Sequence, residues 1–277
     1  MKTIYHFSGA GNDFVVIDGR EGDVSAFRAV PRIEALCREY KTDGLMILGS
    51  GDAEVDFTMD FYNPDGSGGM MCGNGGRCIV AFADYLGIRP AECERSAEGV
   101  TATPGVFLFR APDGLHTGEI LDRPAEGLWT VRIKMIDVQG ITPMLGGYFL
   151  NTGTRHFVKF VDDVEQVDVD AEGKALRWDP AFAPIGTNVN FVHVAPDSLH
   201  VRTFEKGVEG ETLACGTGLT ACALVAHHAG VPTATPGAYR LRARQDWLSV
   251  DFTPGADEKF TDVYLTGPAR LVRIAGA

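Results

Sequence analysis

No stretch of this 277-residue chain approaches the roughly 20 consecutive apolar residues that a helix needs to cross a bilayer. The N-terminus, Met1-Lys2-Thr3-Ile4-Tyr5-His6, lacks the long apolar segment of a secretory signal. Lysine and arginine form no run, and a formal net charge of −12 sets up a field that repels nucleic acid and anionic membranes. Cysteine is sparse: the six residues, at 37, 72, 78, 93, 215 and 222, are too few for a disulfide scaffold. They also lack the CxxC spacing of a zinc or thioredoxin-type site, so reduced thiols are expected. No low-complexity segment or disordered linker interrupts the chain. These absences leave a soluble, cytoplasmic protein acting on a small molecule, with neither nucleic acid nor membrane as a partner.

What is present is a repeat. Cys72-Gly73-Asn74-Gly75 and Cys215-Gly216-Thr217-Gly218 each open an apolar, helix-like stretch, and the cysteines lie 143 residues apart. The same offset links Phe14 to Phe157, Phe61 to Phe204, Gly75 to Gly218 and Gly87 to Gly230. Beyond the helices the offset shortens to 132, relating Thr103-Pro104-Gly105-Val106-Phe107 to Thr235-Pro236-Gly237-Ala238-Tyr239. Length differences fall in loops, where they are tolerated. The chain length also suits two domains of ordinary size. An α/β (α+β) fold made by internal duplication is therefore expected.

The first half opens with a β-rich run, Met1 to Asp18, broken by a glycine turn at residues 9–13. A helix is expected over Pro31–Tyr40, with strands over Leu45–Leu48 and Val55–Tyr62. The turn signal Asn63-Pro64-Asp65-Gly66 follows, and after it the helix Gly75–Leu86, stopped by Gly87. That helix carries almost no charge, so it should be buried nearly all round as the centre of its domain. The second half repeats the scheme with Tyr148–Val161, Asn188–Val194, Val201–Phe204 and a helix Gly218–Ala229 ended by Gly230. Cys37, Cys78, Cys93 and Cys222 read as packing residues.

A helix N-terminus offers unpaired N–H groups and partial positive charge, and a glycine-rich entry lets a carboxylate or phosphate approach the backbone. The same field favours the thiolate of a cysteine at the helix start. Deprotonating an amino-acid α-carbon spreads charge into its carboxylate, so two such termini facing one small molecule would favour the transition state. A thiolate on one face as base and a thiol on the other as acid would invert the centre without a cofactor. Two other readings stay open. Both motifs could be glycine-rich caps with a cysteine at a small buried position, or they could bind phosphate. The phosphate reading is the weaker: the chain has no G-x-x-x-x-G-K-[ST], and Gly73-x-Gly75 is followed by Cys78 where a dinucleotide fingerprint has glycine.

Five segments resemble the diaminopimelate epimerase family. They are Asn12-Asp13-Phe14, Asn63-Pro64-Asp65-Gly66-Ser67, Met71-Cys72-Gly73-Asn74-Gly75-Gly76-Arg77-Cys78, Asn188-Val189-Asn190-Phe191 and Glu211-Thr212-Leu213-Ala214-Cys215-Gly216-Thr217-Gly218. The resemblance spans nearly the whole chain. It implies a cofactor-independent epimerase, with no metal, interconverting LL- and meso-2,6-diaminoheptanedioate in lysine and peptidoglycan-precursor synthesis. It also implies two similar domains, each a mixed, curled sheet round a central helix, with the C-terminal strand returning to the first. Residues 1–117 and 264–277 would form the Cys72 domain, and 118–263 the Cys215 domain. Cys72 and Cys215 become the acid/base pair, assisted by His156 and Glu205. Backbone donors at Gly73, Asn74, Gly216 and Thr217 would hold the reacting carboxylate, with Asn12, Asn63 and Asn188 on the rest of the substrate. A homodimer is the assembly the family and general symmetry preferences suggest.

Two places depart from the family pattern. Gly153-Thr154-Arg155-His156 stands where Gly-Asn-Pro-His is common, so an asparagine that contacts the distal end of the substrate is missing. Glu205-Lys206-Gly207-Val208-Glu209-Gly210-Glu211-Thr212 stands where Glu-Arg-Gly-x-Gly-Glu-Thr is common, replacing arginine by lysine and inserting one residue. Lysine cannot grip a carboxylate with the two parallel bonds of a guanidinium. Lys206 or, as a substitute clamp, Arg155 would then meet the distal carboxylate. The departures keep two alternatives in view: a racemase of the same fold acting on another amino acid, and an anion-binding protein without turnover.

Overall fold

A computed structural model describes residues 2–69 and 71–276. Met1, Met70 and Ala277, which fall in the expected first strand, the loop before Cys72 and the first domain, lie outside the described residues. The chain divides into two compact units, one running to Ile133 and resuming at Gly267, the other Lys134–Thr266. Residues 118–133, assigned from sequence to the second half, join the first unit because the strands they form find their ladder partners there.

In the first unit, β1 (Thr3–Gly9) and β2 (Asn12–Asp18) form a hairpin. Its two-residue link, Ala10-Gly11, has φ of 58° and 95°, the backbone of a tight turn whose twist suits the flanking strands. Next come α1 (Val30–Tyr40), β3 (Gly44–Ser50), β4 (Phe57–Tyr62), α2 (Gly73–Tyr85) and a small hairpin of β5 (Arg95–Ala97) and β6 (Val100–Ala102). β7 (Phe107–Ala111), β8 (Gly114–Ala125) and β9 (Leu128–Lys134) complete the order. Residues 267–276, at the chain's end, pair antiparallel with both β9 and β1, which closes the sheet on itself. Round the ring, β2–β3 and β4–β7 are parallel and the remaining pairs antiparallel.

α2 fills this ring. Every residue from Gly73 to Asp84 is buried, and the rings of Tyr5 and Phe7 pack on Phe82 at 4.8 and 5.6 Å. α1 covers the opposite face of the sheet, placing Ile33 and Leu36 against Ile4, Val15, Ile17, Leu45 and Ile47. The helix starts two residues before the expected Gly75 because Cys72 is its N-cap, in extended backbone at φ −102° and ψ 151°. α2 also holds two buried charges. Arg77 donates to the carbonyls of Gly73 and Pro268 and to Asn74 Oδ1. Asp84 accepts from Arg89, Arg123 and the Trp129 indole. Such groups survive burial only when paired.

The second unit comprises β10 (Val138–Gln139), β11 (Thr142–Met144), β12 (Gly147–Asn151), β13 (Arg155–Phe160), α3 (Val169–Arg177), β14 (Asn188–Ala195), β15 (Ser198–Glu205) and β16 (Gly210–Thr212). It continues with α4 (Gly216–His228), β17 (Ala238–Arg242), β18 (Trp247–Pro254) and residues 259–266 of β19 (Lys259–Gly276). Here β13–β14 and β15–β17 are the parallel pairs, with antiparallel ones round the rest, β19 to β10 and β11 to β12 included. The sequence of orientations repeats that of the first unit. The duplication is therefore written in the ladder as well as in the chain. The two central helices each have 13 residues and start 143 apart, at Gly73 and Gly216.

The strands do not keep that offset. Phe14 sets its ring edge-on to Phe61, whose ring lies 3.7 Å from where a Cβ on Gly75 of α2 would sit. Phe157 and Phe204, their partners by offset, belong instead to the cluster against α3. A one-residue slip sends every side chain of a strand to the other face. Ladder pairing gives the true equivalents. Met46 opposes Phe61 and Val16, while Asn190 opposes Thr203 and Val158. By that register His156 stands where Phe14 does, Asn190 where Met46 does, and Thr203 where Phe61 does.

Candidate active site

In the first unit the Cys72 sulfur accepts the Gly75 N–H at 3.2 Å. Met46 Sδ lies 3.5 Å from where a Cβ on Gly75 would sit, so this side of the first turn rests on apolar groups. The approach to Cys72 is pinned from β7–β8: the Met71 N–H donates to Asp113 Oδ1 at 3.0 Å, and His116 Nε2 lies 3.3 Å from the same oxygen. Burial works against ionisation of Asp113, but the bonds from His116 and Met71 outweigh it and hold its carboxyl below the usual range. Asn74, one turn into the site, gives its amide to Asn12 Oδ1 at 2.6 Å and accepts from Arg77 at 2.8 Å. Cys78, on the same helix, is fully buried, which pushes its thiol pKa far up and leaves it an inert packing group.

The second unit places a polar cluster under the equivalent turn. Cys215, 7 % exposed, caps α4, and its sulfur lies 3.4 Å from Thr217 Oγ1. His156 Nε2 is 3.0 Å from the same hydroxyl and 2.9 Å from Thr154 Oγ1. Its other nitrogen, Nδ1, is 3.1 Å from Asn190 Nδ2, and Asn190 in turn donates to Phe157 O and accepts from Thr203. Burial drives the His156 pKa down to about 3, so the ring is neutral. The fit is close: a Cβ on Gly218 would come within 2.4 Å of Asn190 Oδ1, so only glycine suits this position of the helix. Glu205 ends β15 two residues after Thr203, and strand alternation puts it on the face of that cluster. Burial, with the nearby Cys215 adding to it, keeps the Cys222 thiol protonated.

The expected site residues thus fall into two groups. Cys72, Gly73, Asn74 and Asn12 come together at one helix start, and Cys215, Gly216, Thr217, His156 and Glu205 belong to the other. Asn63 bonds Ser67 within its turn, while Asn188 donates to Arg155 O and accepts the Lys206 N–H, setting the end of β15. Lys206 itself is exposed in the turn that follows. Arg155 is not brought to the cluster. It follows Thr154 and precedes His156, so alternation turns it to the opposite face, where its guanidinium lies over the Phe149 ring and donates to Phe182 O. The residue named from sequence as a substitute clamp thus lies on the face of β13 away from His156.

Three contributors escaped the sequence reading: Thr154 and Thr203 as bonding groups, and Asn190 as the hub. A buried asparagine inside the apolar run Asn188–Val194 was the available signal, since polar side chains in a core are there for a partner. Glu209, in the lengthened Gly207–Gly210 segment, accepts from the buried Arg177 and from the Gly207 N–H, tying the Lys206 turn to α3. All six cysteines are thiols, and among the described residues no cluster of three or more His, Cys, Asp or Glu side chains is placed to hold a metal. Nor is any described helix long and apolar enough to cross a membrane.

Comparison with known proteins agrees with the ladder. A diaminopimelate epimerase from Chlorobaculum tepidum is 36 % identical over 274 residues, covering 96 % of this chain and 97 % of that protein. One from Aquifex aeolicus is 38 % identical over 274 residues, covering 95 % and 93 %. Among solved structures, a phenazine biosynthesis protein of the PhzF family from Bacillus anthracis shares the fold at a TM-score of 0.73 and 10 % identity, covering 99 % of this chain and 98 % of that one. A hydroxyproline epimerase from Agrobacterium vitis does so at 0.62 and 15 % identity, covering 99 % and 91 %. The sequence model of the family described as diaminopimelate epimerase matches residues 4–99 and 148–272, and the chain belongs to that family.

Proposed function

We propose that this enzyme interconverts LL- and meso-2,6-diaminoheptanedioate with Cys72 and Cys215 as its acid/base pair and without a cofactor. The observation that carries the reading is the equivalence of the two thiols. Each is the N-cap of a buried 13-residue helix at the same place in a repeated ladder. A helix start is where backbone N–H groups lack intrahelical partners, so Gly73, Asn74, Gly216 and Thr217 supply donors for the α-carboxylate as charge moves into it. The thiolate takes the α-proton and becomes a thiol, and the opposite thiol delivers its proton to the other face and becomes a thiolate. Atoms and charge balance, and each turnover leaves the pair primed for the reverse direction.

The setting is lysine and peptidoglycan-precursor synthesis in the cytoplasm, and a homodimer is the proposed assembly, which sedimentation measures. Incubation with LL-diaminopimelate in deuterated water tests the activity: epimerisation with α-deuterium in the product supports it. The Thr154, Arg155 and Lys206 departures favour one second reading, a racemase of this fold with another amino-acid substrate. Inertness toward diaminopimelate with exchange on a different amino acid would select that reading instead.

A further inference from the structure

We propose that Thr217 is a positioning residue whose hydroxyl proton is directed onto the Cys215 sulfur by Thr154 and His156, so that this thiol is held ready as the thiolate. The inference rests on Cys215 being one of the proton carriers, and it changes the part expected of His156. The proton positions at Asn190 and His156 follow from donor chemistry. Phe157 O can only accept, so the Asn190 amide nitrogen is the group facing it. That nitrogen can only donate, and the neighbouring His156 Nδ1 must therefore accept. In a neutral imidazole the remaining proton then sits on Nε2.

Two hydroxyls surround Nε2, Thr154 Oγ1 at 2.9 Å and Thr217 Oγ1 at 3.0 Å, and neither can donate to a nitrogen that already carries a proton. Thr154 and Thr217 lie 3.1 Å apart, and Thr217 lies 3.4 Å from Cys215 Sγ. In the proposed arrangement Nε2–H and the Thr154 hydroxyl are both aimed at the Thr217 oxygen, which leaves the sulfur as the acceptor for the proton of Thr217. A donated hydrogen bond stabilises the thiolate over the thiol, most strongly where burial excludes water. His156 is accordingly a fixed donor at the back of the chain and not the base that strips the thiol.

Cys222, within α4, stays protonated and brings no charge to the sulfur. The equivalent positions of the first unit hold Phe14, Met46 and Phe61, none of which is a hydrogen-bond donor, and there Cys72 takes the backbone N–H of Gly75. A relay backed by histidine is therefore confined to the second unit.

The test is a pH titration of ultraviolet thiolate absorbance, taken as the difference between each protein and its own Cys215→Ala derivative. Thr217→Val keeps the shape of the side chain and removes the hydroxyl, and Nε2–H then turns to Thr154. It should lower the Cys215 thiolate fraction at neutral pH about tenfold, the effect of one hydrogen bond to a charged group. Thr217→Ser should restore it to within about twofold, and Thr154→Val should fall between. A Thr217→Val protein, folded by circular dichroism, that titrates like wild type would overturn the proposal. So would a serine variant that behaves like valine, because that result assigns the effect to packing. If these shifts appear in a protein that turns over no diaminopimelate, the relay stands and the proposed activity falls. If turnover is normal and the titrations are unchanged, the reverse holds.

Discussion

The two units share one ladder, one helix length and one capping residue, yet they rest the first turn of that helix on opposite chemistry. In the first unit Phe14, Met46 and Phe61 pack beneath Gly75, while in the second His156, Asn190 and Thr203 take the equivalent places beneath Gly218. The polar groups on the first side lie elsewhere, in the Asn12–Asn74–Arg77 chain along the helix itself. A duplicated scaffold can therefore present two thiols from matching positions and still give each its own donors. For the proposed proton shuttle this matters, since the resting pair needs one sulfur as thiolate and the other as thiol.

The largest expected effect treats the two sides alike. Cys72→Ala and Cys215→Ala should each lower epimerisation at least about a thousandfold, the scale of losing a positioned acid or base, while the protein stays folded. Steady-state rates with circular dichroism check this, and full activity in either variant breaks the equivalence of the caps.

The next pair separates the sides. Asn190→Leu removes the donor to His156 Nδ1 and Phe157 O and the acceptor for Thr203, and should cost about 3 kcal/mol in urea unfolding. Met46→Leu, at the same ladder position, conserves volume in an apolar setting and should cost less than about 1.5 kcal/mol. Equal costs would erase the contrast.

Acid sharpens it further. The folded state holds His156 neutral down to about 3, whereas the unfolded histidine binds a proton below about 6.5. The unfolded state thus carries the extra proton across that window, so stability should fall as pH drops from 6.5 toward 3, by up to about 1.4 kcal/mol per pH unit from this group. His156→Gln should flatten the decline in a pH series of unfolding curves, and an unchanged slope would show that the buried ring does not govern it.

The smallest effects concern the distal end of the substrate. Lys206→Ala should raise KM about tenfold if its ammonium meets the second carboxylate. Arg155→Ala should leave KM within about twofold, because its guanidinium lies over Phe149 on the far face of β13. A strong KM effect at Arg155 alone would reverse that assignment.

Much of this was legible from sequence. The paired cysteine turns located both helices to within two residues, and the threonine-proline-glycine echo at 103 and 235 located β7 and β17, which do occupy equivalent places beside β4 and β15. The facing of the strands was not legible. Phe14 and Phe157 match by offset and by type, but a period of two makes facing depend on a single residue, and only the ladder reveals which one. The hydrogen-bond hub was hidden for a related reason. Asn190, Thr203 and Thr217 come from β14, β15 and α4, so no local spacing announces that they gather round His156. Arg77 and Asp84 were visible as charges in an apolar helix, but their partners, Pro268 O and Arg123, lie far along the chain. The facing of Arg155 was hidden in the same way, since alternation sends its side chain to the face opposite His156.

The central claim, two thiols each serving one face of the α-carbon, is tested most directly by following deuterium at early conversion of LL-diaminopimelate in deuterated water. The thiol that reprotonates the carbon carries a solvent deuteron, while the thiol that took the α-proton can only hand hydrogen back to the face it came from. The account expects deuterium in the newly formed meso product while the recovered LL substrate is still protiated. Equal deuterium in substrate and product from the first turnovers would mean a single exchanging base, and would contradict it.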